Sequence, residues 1–341
     1  MTTVRNVHLL VPGLLGPLPE TARGAVSELE RLTDTEYLLG RGARFSAAGS
    51  DTLALARAAG GLPELPAGAL GFLGVEGNPG NDWWMRADPI HLRPDRDRLL
   101  VFAGRGVRPN AEETRALLRE FNALFVDDGM ELMDRDGYWF LRTRDETPAG
   151  LASTRELAGR YFDQFLPTGS DGRRWRAFLN ETQMLFFGNA VNQEREAAGE
   201  LPLNGLWAWG GGRLSATIAM DFDLVVADEP TLRGLARNSG VRAEKGVDRF
   251  SQLPLKDASN VLAVWEGCQE ALLGGDLHQW LDALIAFERS WAREARAALA
   301  NGTIDRLHLY AGNGHGWSIG RGDRWKRWRR IRPLRRWLDL A

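Results

Sequence analysis

The 341-residue sequence contains a single cysteine, Cys268. One thiol excludes an internal disulfide and any cysteine-based zinc cluster. Histidine is scarce too, with five, so a site needing several imidazole ligands is hard to populate. Long apolar runs are missing. The first apolar stretch, Val7–Val11, stops at Pro12-Gly13, too short for a secretory leader and far too short to span a bilayer. These absences predict a cytoplasmic protein. An excess of either charge is also lacking: the formal net charge is −2. That argues against a chain that binds nucleic acid over its whole surface, and no specific nucleic-acid partner is expected.

What remains is the make-up of an ordinary globular protein, with room for one large α/β unit or two modest domains. Tryptophan is the unusual ingredient, with 13 against 4 tyrosines. Val7–Val11 reads as a buried first strand ending in a turn. Helices are expected over 21–32, 51–59, 111–125, 173–187, 230–238 and 276–300, and a Gly/Pro-rich crossing loop or domain boundary over 62–80. Strands are expected over 83–92, 98–102, 130–133, 138–141, 221–226, 260–265 and 304–310. Asp136-Gly137 is a hairpin signal between two of them. Strands alternating with helices after residue 200 imply a largely parallel sheet.

The most informative stretch runs from Asn189 to Arg213. It holds Asn192, Arg195, Asn204, Trp207, Trp209, the triplet Gly210-Gly211-Gly212 and Arg213. Amides and guanidinium groups beside rigid rings and glycines suit a cleft wall, where donors are aimed and backbone comes close. Arginine offers a bidentate fork for phosphate or carboxylate. The same residues equally suit an internal hydrogen-bond network that clamps an inserted domain to a core. Upstream, Arg86 and Asp88 share a strand face, with His91 three residues on. They read as a polar cleft wall or, more simply, as a half-exposed ion pair.

The run Val191-Asn192, Arg195, Gly199, Asn204, Leu206-Trp207, Trp209-Gly210, Gly212 resembles a segment of the archaeal-type cofactor-independent phosphoglycerate mutases. Leu70-Gly71-Phe72-Leu73-Gly74 and the stretch Leu224–Gly240 also look like parts of that family. A fuller resemblance is to the RpfE-type regulatory proteins. It rests on Trp84-Met85-Arg86-Ala87-Asp88-Pro89-Ile90-His91-Leu92, on Phe165–Gly169 with Arg173-Arg174-Trp175, and on Leu179–Leu185. The resemblance implies an alkaline-phosphatase-like α/β core with a largely parallel sheet flanked by helices. Residues 1–80 and 165–341 would form that core, and a small α+β domain would be inserted at 82–150.

The resemblance also implies a two-metal site with a serine nucleophile, and here the sequence departs from the family. Where the family's first strand ends in Asp-Gly, this chain has Pro12-Gly13. The late acidic and histidine ligands are matched only by Glu266, Asp276 and His278 at altered spacing, and a strand-end Asp-His becomes Asn313-Gly314-His315. Glu266, Asp276, His278 and His315 are therefore candidates for a relic or single-metal site. The expectation is a catalytically degenerate, regulatory protein with no cofactor, whose cleft binds a small anionic or phosphorylated metabolite. The alternatives are an active metal-dependent phosphomutase or phosphohydrolase holding a divalent ion, and an adaptor.

The adaptor alternative comes from the C-terminal stretch. Arg321, Arg324, Lys326, Arg327, Arg329, Arg330, Arg332, Arg335 and Arg336 alternate with Trp325, Trp328 and Trp337. Such a segment suits contact with a protein or an anionic surface. The preferred reading is a terminal helix that docks its tryptophans on the body and solvates its arginines.

Overall fold

A computed structural model describes residues 5–16, 18, 26, 29–47, 53, 64–147, 150–214, 216–326 and 328–338. Of the helix expected over 21–32, residues 21–25, 27 and 28 lie outside these residues and 29–32 are irregular chain ahead of a helix that begins at Thr33; of the helix expected over 51–59 only residue 53 is described. The chain forms two compact units, one of Met1–Leu62 with Ile218–Ala341 and one of Pro63–Thr217. Elements are numbered along the whole chain.

The first unit is built on a seven-stranded sheet. β1 (Asn6–Leu10) lies between β10 (Asn260–Val264) and β11 (Arg306–Tyr310) and is parallel to both. β8 (Leu224–Val226) and β9 (Arg242–Glu244) continue the parallel run beyond β10. β12 (His315–Gly320) and β2 (Ala43–Ser46) close the other side antiparallel. β8 and β10 carry almost only Val, Leu and Ala, as strands covered on both faces do; Val7, Leu9, Leu224, Val225, Val261, Leu262 and Ala263 are fully buried.

Around this sheet lie α1 (Thr33–Arg41), α7 (Pro230–Asn238), α8 (Gly267–Leu273), α9 (Leu277–Phe287) and α10 (Arg293–Asn301), with one π turn, Glu288–Ala292, between the last two. The single long helix expected over 276–300 is thus interrupted. Glu288 is 7% exposed, and its carboxylate accepts from the Asp34 and Thr35 amides at 2.8 Å and the Thr35 hydroxyl at 2.7 Å. It satisfies the open amides at the start of α1, where the helix dipole favours an anion.

The second unit is organised by β3 (Trp83–Asp95), an antiparallel strand of 13 residues. Its first half pairs with β6 (Tyr138–Thr143) on one edge and β7 (Gly205–Gly212) on the other. Its second half pairs with β4 (Arg98–Phe102), and β5 (Met130–Arg135) completes the sheet beside β6. Asp136 and Gly137 make the β5–β6 turn with φ of 57° and 76°, the doubly left-handed geometry that the Asp-Gly pair serves. α3 (Ala111–Phe125) buries Leu117, Phe121 and Phe125 and opens with a capping box between Asn110 and Glu113. The capped turn α4 (Thr154–Leu157), α5 (Gly169–Phe187) and α6 (Ala190–Ala197) complete the unit.

Two expectations need correction. Residues 62–80 are not wholly loop, since α2 (Ala67–Gly74) occupies the middle. Burial of Ala69, Leu70 and Phe72 outweighs the poor helix propensity of its glycines. A Cβ on Gly68 would sit 2.4 Å from the Met85 backbone, so glycine is what lets α2 approach β3. The second unit is also wider than the expected 82–150 insertion. The Asn189–Arg213 stretch, assigned on sequence to the core, belongs to it because β7 hydrogen-bonds along β3. Among the described residues no helix is long and apolar enough to cross a membrane.

His8 and His308 lie opposite each other on β1 and β11 and stack at 4.4 Å. His8 Nδ1 is 2.8 Å from the Tyr310 hydroxyl. Burial, and then the neighbouring His308, push the His8 pKa from 6.5 down to about 4. The folded state therefore binds fewer protons than the unfolded chain between those values. The stability this contributes is complete above pH 6.5 and is lost as pH falls towards 4. Urea unfolding across that range should show stability declining with acid, and His8→Phe should flatten the decline. An unchanged slope in the variant would remove His8 from the account.

Candidate functional site

In open parallel α/β sheets, ligands collect beyond the carboxyl ends of the strands. In the first unit that edge is formed by the residues after β1, β8, β10 and β11. After β1 come Val11, Pro12 and Gly13. Gly13 has φ of 77°. A Cβ there would lie 3.0 Å from the Gln269 amide nitrogen and 3.1 Å from the Cys268 carbonyl carbon. The first turn of α8 therefore lies directly on Gly13, and the Trp280 indole donates to the Gly13 carbonyl at 2.8 Å. The central strand thus ends in a packed turn with no side chain able to ligate a metal or take a proton.

The neighbouring strand ends carry more polarity. After β8, Asp228 accepts from the Gly246 amide at 3.2 Å, and Glu229, 3% exposed, caps α7 through the Thr231 amide at 3.2 Å. Arg233, 2% exposed, reaches back to the Ala227 carbonyl at 3.4 Å. After β11, Gly312 and Gly314 have φ of 77° and 76°. Between them Asn313 holds a buried amide oxygen with no hydrogen-bond partner. A buried acceptor left unmade costs about 1–3 kcal/mol, so this atom marks a place for a donor. Cys268 is fully buried, and burial pushes its thiol far up, which removes it as a nucleophile.

The four sequence candidates for a relic metal site do not assemble. Asp276 caps α9 through the Gln279 amide at 3.0 Å. His278 is exposed on α9, and His315 is half-buried at the start of β12. Glu266 is half-buried just before α8. Among the described residues, no three His, Cys, Asp or Glu side chains are placed to hold a metal ion.

In the second unit, the Asn189–Arg213 side chains serve the unit's own backbone. The Asn192 amide donates to the Phe186 and Leu203 carbonyls at 2.6 and 2.9 Å and accepts from the Leu203 amide at 2.6 Å. Asn204 makes the same two-way bond with Leu92, at 2.6 and 2.9 Å. Arg195, 3% exposed, is held by the Leu201 carbonyl at 2.8 Å and the Glu113 carboxylate at 2.9 Å. Trp207 donates to the Ala152 carbonyl at 2.8 Å. Arg213 bonds the Asn81 carbonyl at 2.5 Å and lies over the Trp83 ring. Of the two readings of this stretch, these bonds form the internal network: a clamp within the second unit that joins α6, β3, β7 and the loop between α6 and β7. Buried amides in a region of folded-over backbone are used where the ladder cannot reach.

One cluster of sequence candidates does converge. Arg86 and Asp88 share a face of β3, as their spacing implies, with a contact of 3.2 Å. Arg86 is 4% exposed, so the pair is deeper than the half-exposed bridge expected. The Trp209 indole donates to Asp88 at 2.6 Å, and the Thr154 hydroxyl at 2.5 Å. The Arg86 guanidinium also faces the rings of Tyr138, Phe140 and Trp209 at 5.0–5.5 Å. Thr154 and Tyr138 are not among the sequence candidates; the Ser153–Glu156 spacing, a capping box in the structure, is the signal that points to order beside Thr154. His91 lies apart and bonds the Pro202 carbonyl at 2.9 Å; burial lowers its pKa.

No family model matches the chain. The sequence is similar to a probable 2,3-bisphosphoglycerate-independent phosphoglycerate mutase from Geobacter sulfurreducens, 21% identical over 223 residues. That similarity covers 60% of this chain and 56% of the relative, so the chain matches about half the relative's length. Among solved structures, it is similar to the PH0037 protein from Pyrococcus horikoshii, with a TM-score of 0.50 and 14% identity over 94% of this chain and 88% of that one. A cofactor-independent phosphoglycerate mutase from Thermoplasma acidophilum aligns with a TM-score of 0.45 and 17% identity, over 93% and 89%.

The clamp makes a prediction that a ligand contact would not. Asn192→Ala leaves the Leu203 amide and carbonyl without their partner, while the Phe186 carbonyl keeps the Asn189 amide, and should destabilise the protein by about 3 kcal/mol, read by urea unfolding. An unaltered unfolding midpoint would refute the structural assignment.

Proposed function

We propose that this chain is a phosphoglycerate-mutase-like α/β protein that binds a small phosphorylated anion in a regulatory capacity, without two-metal phosphoryl transfer. The observation that carries this reading is the turn after β1. A two-metal phosphoryl site needs carboxylates and imidazoles converging at the strand ends. At the central position this chain offers Pro12 and a Gly13 covered by α8. The similarity to a probable phosphoglycerate mutase supports a phosphorylated three-carbon acid as the ligand class. The RpfE-type resemblance supports a regulatory use.

In this reading the anion lies at the carboxyl edge of the first unit's sheet. The left-handed glycines flanking Asn313 expose backbone amides in the manner of an anion-binding nest. The buried Asn313 oxygen accepts from a ligand hydroxyl. Binding in this reading needs no metal.

Calorimetric titration with 3-phosphoglycerate in the presence of a chelator tests this directly. Saturable binding is expected, weakened about tenfold by Asn313→Ala through loss of one buried hydrogen bond. Interconversion of 3- and 2-phosphoglycerate on adding manganese would overturn the reading, and so would an absence of binding.

A further inference from the structure

We propose that residues 321–338 form a docking surface for the interface of an anionic phospholipid bilayer. The stretch carries nine basic residues and one acidic, a net +8 in a chain whose total is −2. Its one acid, Asp323, is 7% exposed and engaged by the Gly320 amide and Lys326. What faces solvent is therefore basic, with Arg321, Arg324, Arg330, Arg332, Arg335 and Arg336 all exposed.

The expected terminal helix with docked tryptophans is not what forms. The segment is two short 3-10 turns, Arg321–Trp325 and Leu334–Arg336, joined by irregular chain. Trp337 does dock, edge-on to Trp317 at 5.8 Å. Trp325 and Trp328 do not: they are 66% and 75% exposed. The other eleven tryptophans are buried or half-buried. Ile331, three residues further on, is 39% exposed.

This exposure belongs to a fastened backbone. Arg41 donates to the Lys326 and Arg329 carbonyls at 2.6 and 2.9 Å, and Arg329 returns a bond to the Arg41 carbonyl at 2.7 Å. The Leu334 amide bonds Glu36 at 2.9 Å, and Leu334 is 2% exposed. A Cβ on Gly40 would lie 2.8 Å from the Ile331 Cα, so the segment rests on α1 at a glycine. Two indoles and an isoleucine are thus held outward on a strap tied to α1, flanked by arginines.

That combination matches a bilayer interface. Indoles settle at headgroup depth, an aliphatic side chain reaches the acyl boundary, and guanidinium groups pair with lipid phosphates. A single-stranded RNA would use the indoles for stacking but would leave Ile331 without a role. The bilayer accounts for all three groups.

The test is co-sedimentation of the full chain with vesicles of phosphatidylglycerol and phosphatidylcholine in equal parts. Binding is expected to these and not to phosphatidylcholine alone, and to weaken with salt. Trp325→Ser/Trp328→Ser should lower the affinity at least about tenfold with an unchanged melting temperature. Arg332→Glu/Arg335→Glu/Arg336→Glu should do the same through charge alone. Equal binding to neutral vesicles, full retention of binding in both variants, or tryptophan-dependent binding to oligouridylate without vesicle binding would overturn the proposal.

Discussion

The long strand β3 has two edges, and both must be satisfied. Thirteen residues of extended backbone present donors and acceptors on each side, and leaving them unpaired in a buried sheet costs more than most side-chain contacts return. β6 and β7 flank its first half, and β4 takes one edge of the second. Near the β3–β4 half, Asn204 continues the ladder by side chain, mimicking a strand partner for Leu92. Asn192 fastens the incoming loop by the same device. The second unit's polar side chains are largely accounted for by this one requirement. It explains why residues with the look of ligand contacts belong to the scaffold.

The first unit meets a different constraint. Its central strand is buried on both sides, so its polar ends carry whatever chemistry the sheet has. At the carboxyl edge that chemistry is mostly amide. Gly13 is roofed by α8, Glu229 and Asp276 cap helices, and the Cys268 thiol is buried.

Charge is distributed with equal consequence. The near-neutral total conceals a strap of net +8, so the whole-chain value says nothing about local potential. Arg321, Arg324, Arg330, Arg332, Arg335 and Arg336 remain exposed while the strap's backbone is tied to α1 through Arg41 and Glu36. Packing explains Trp337 and Leu334. It does not explain Trp325 and Trp328, which remain largely exposed.

Local pattern determined much of this protein. The heptad-like spacing and Asn110 cap define Ala111–Phe125, Pro230 opens α7, the Asp136-Gly137 pair makes its hairpin, and the apolar runs at 7–11 and 260–264 become adjacent parallel strands. These succeed because periodicity, capping and turn chemistry act within a few residues. The Arg86–Asp88 pairing followed from strand alternation alone. The site did not follow, because convergence is non-local. Glu288 caps a helix about 250 residues away, His8 stacks on His308, and Trp209 and Thr154 meet on Asp88 only once β7 lies against β3. Composition placed amides, arginines and tryptophans in particular stretches. Whether each faces a ligand, a backbone or solvent was decided by tertiary pairing, because a donor's role depends on which acceptor the fold brings within about 3 Å.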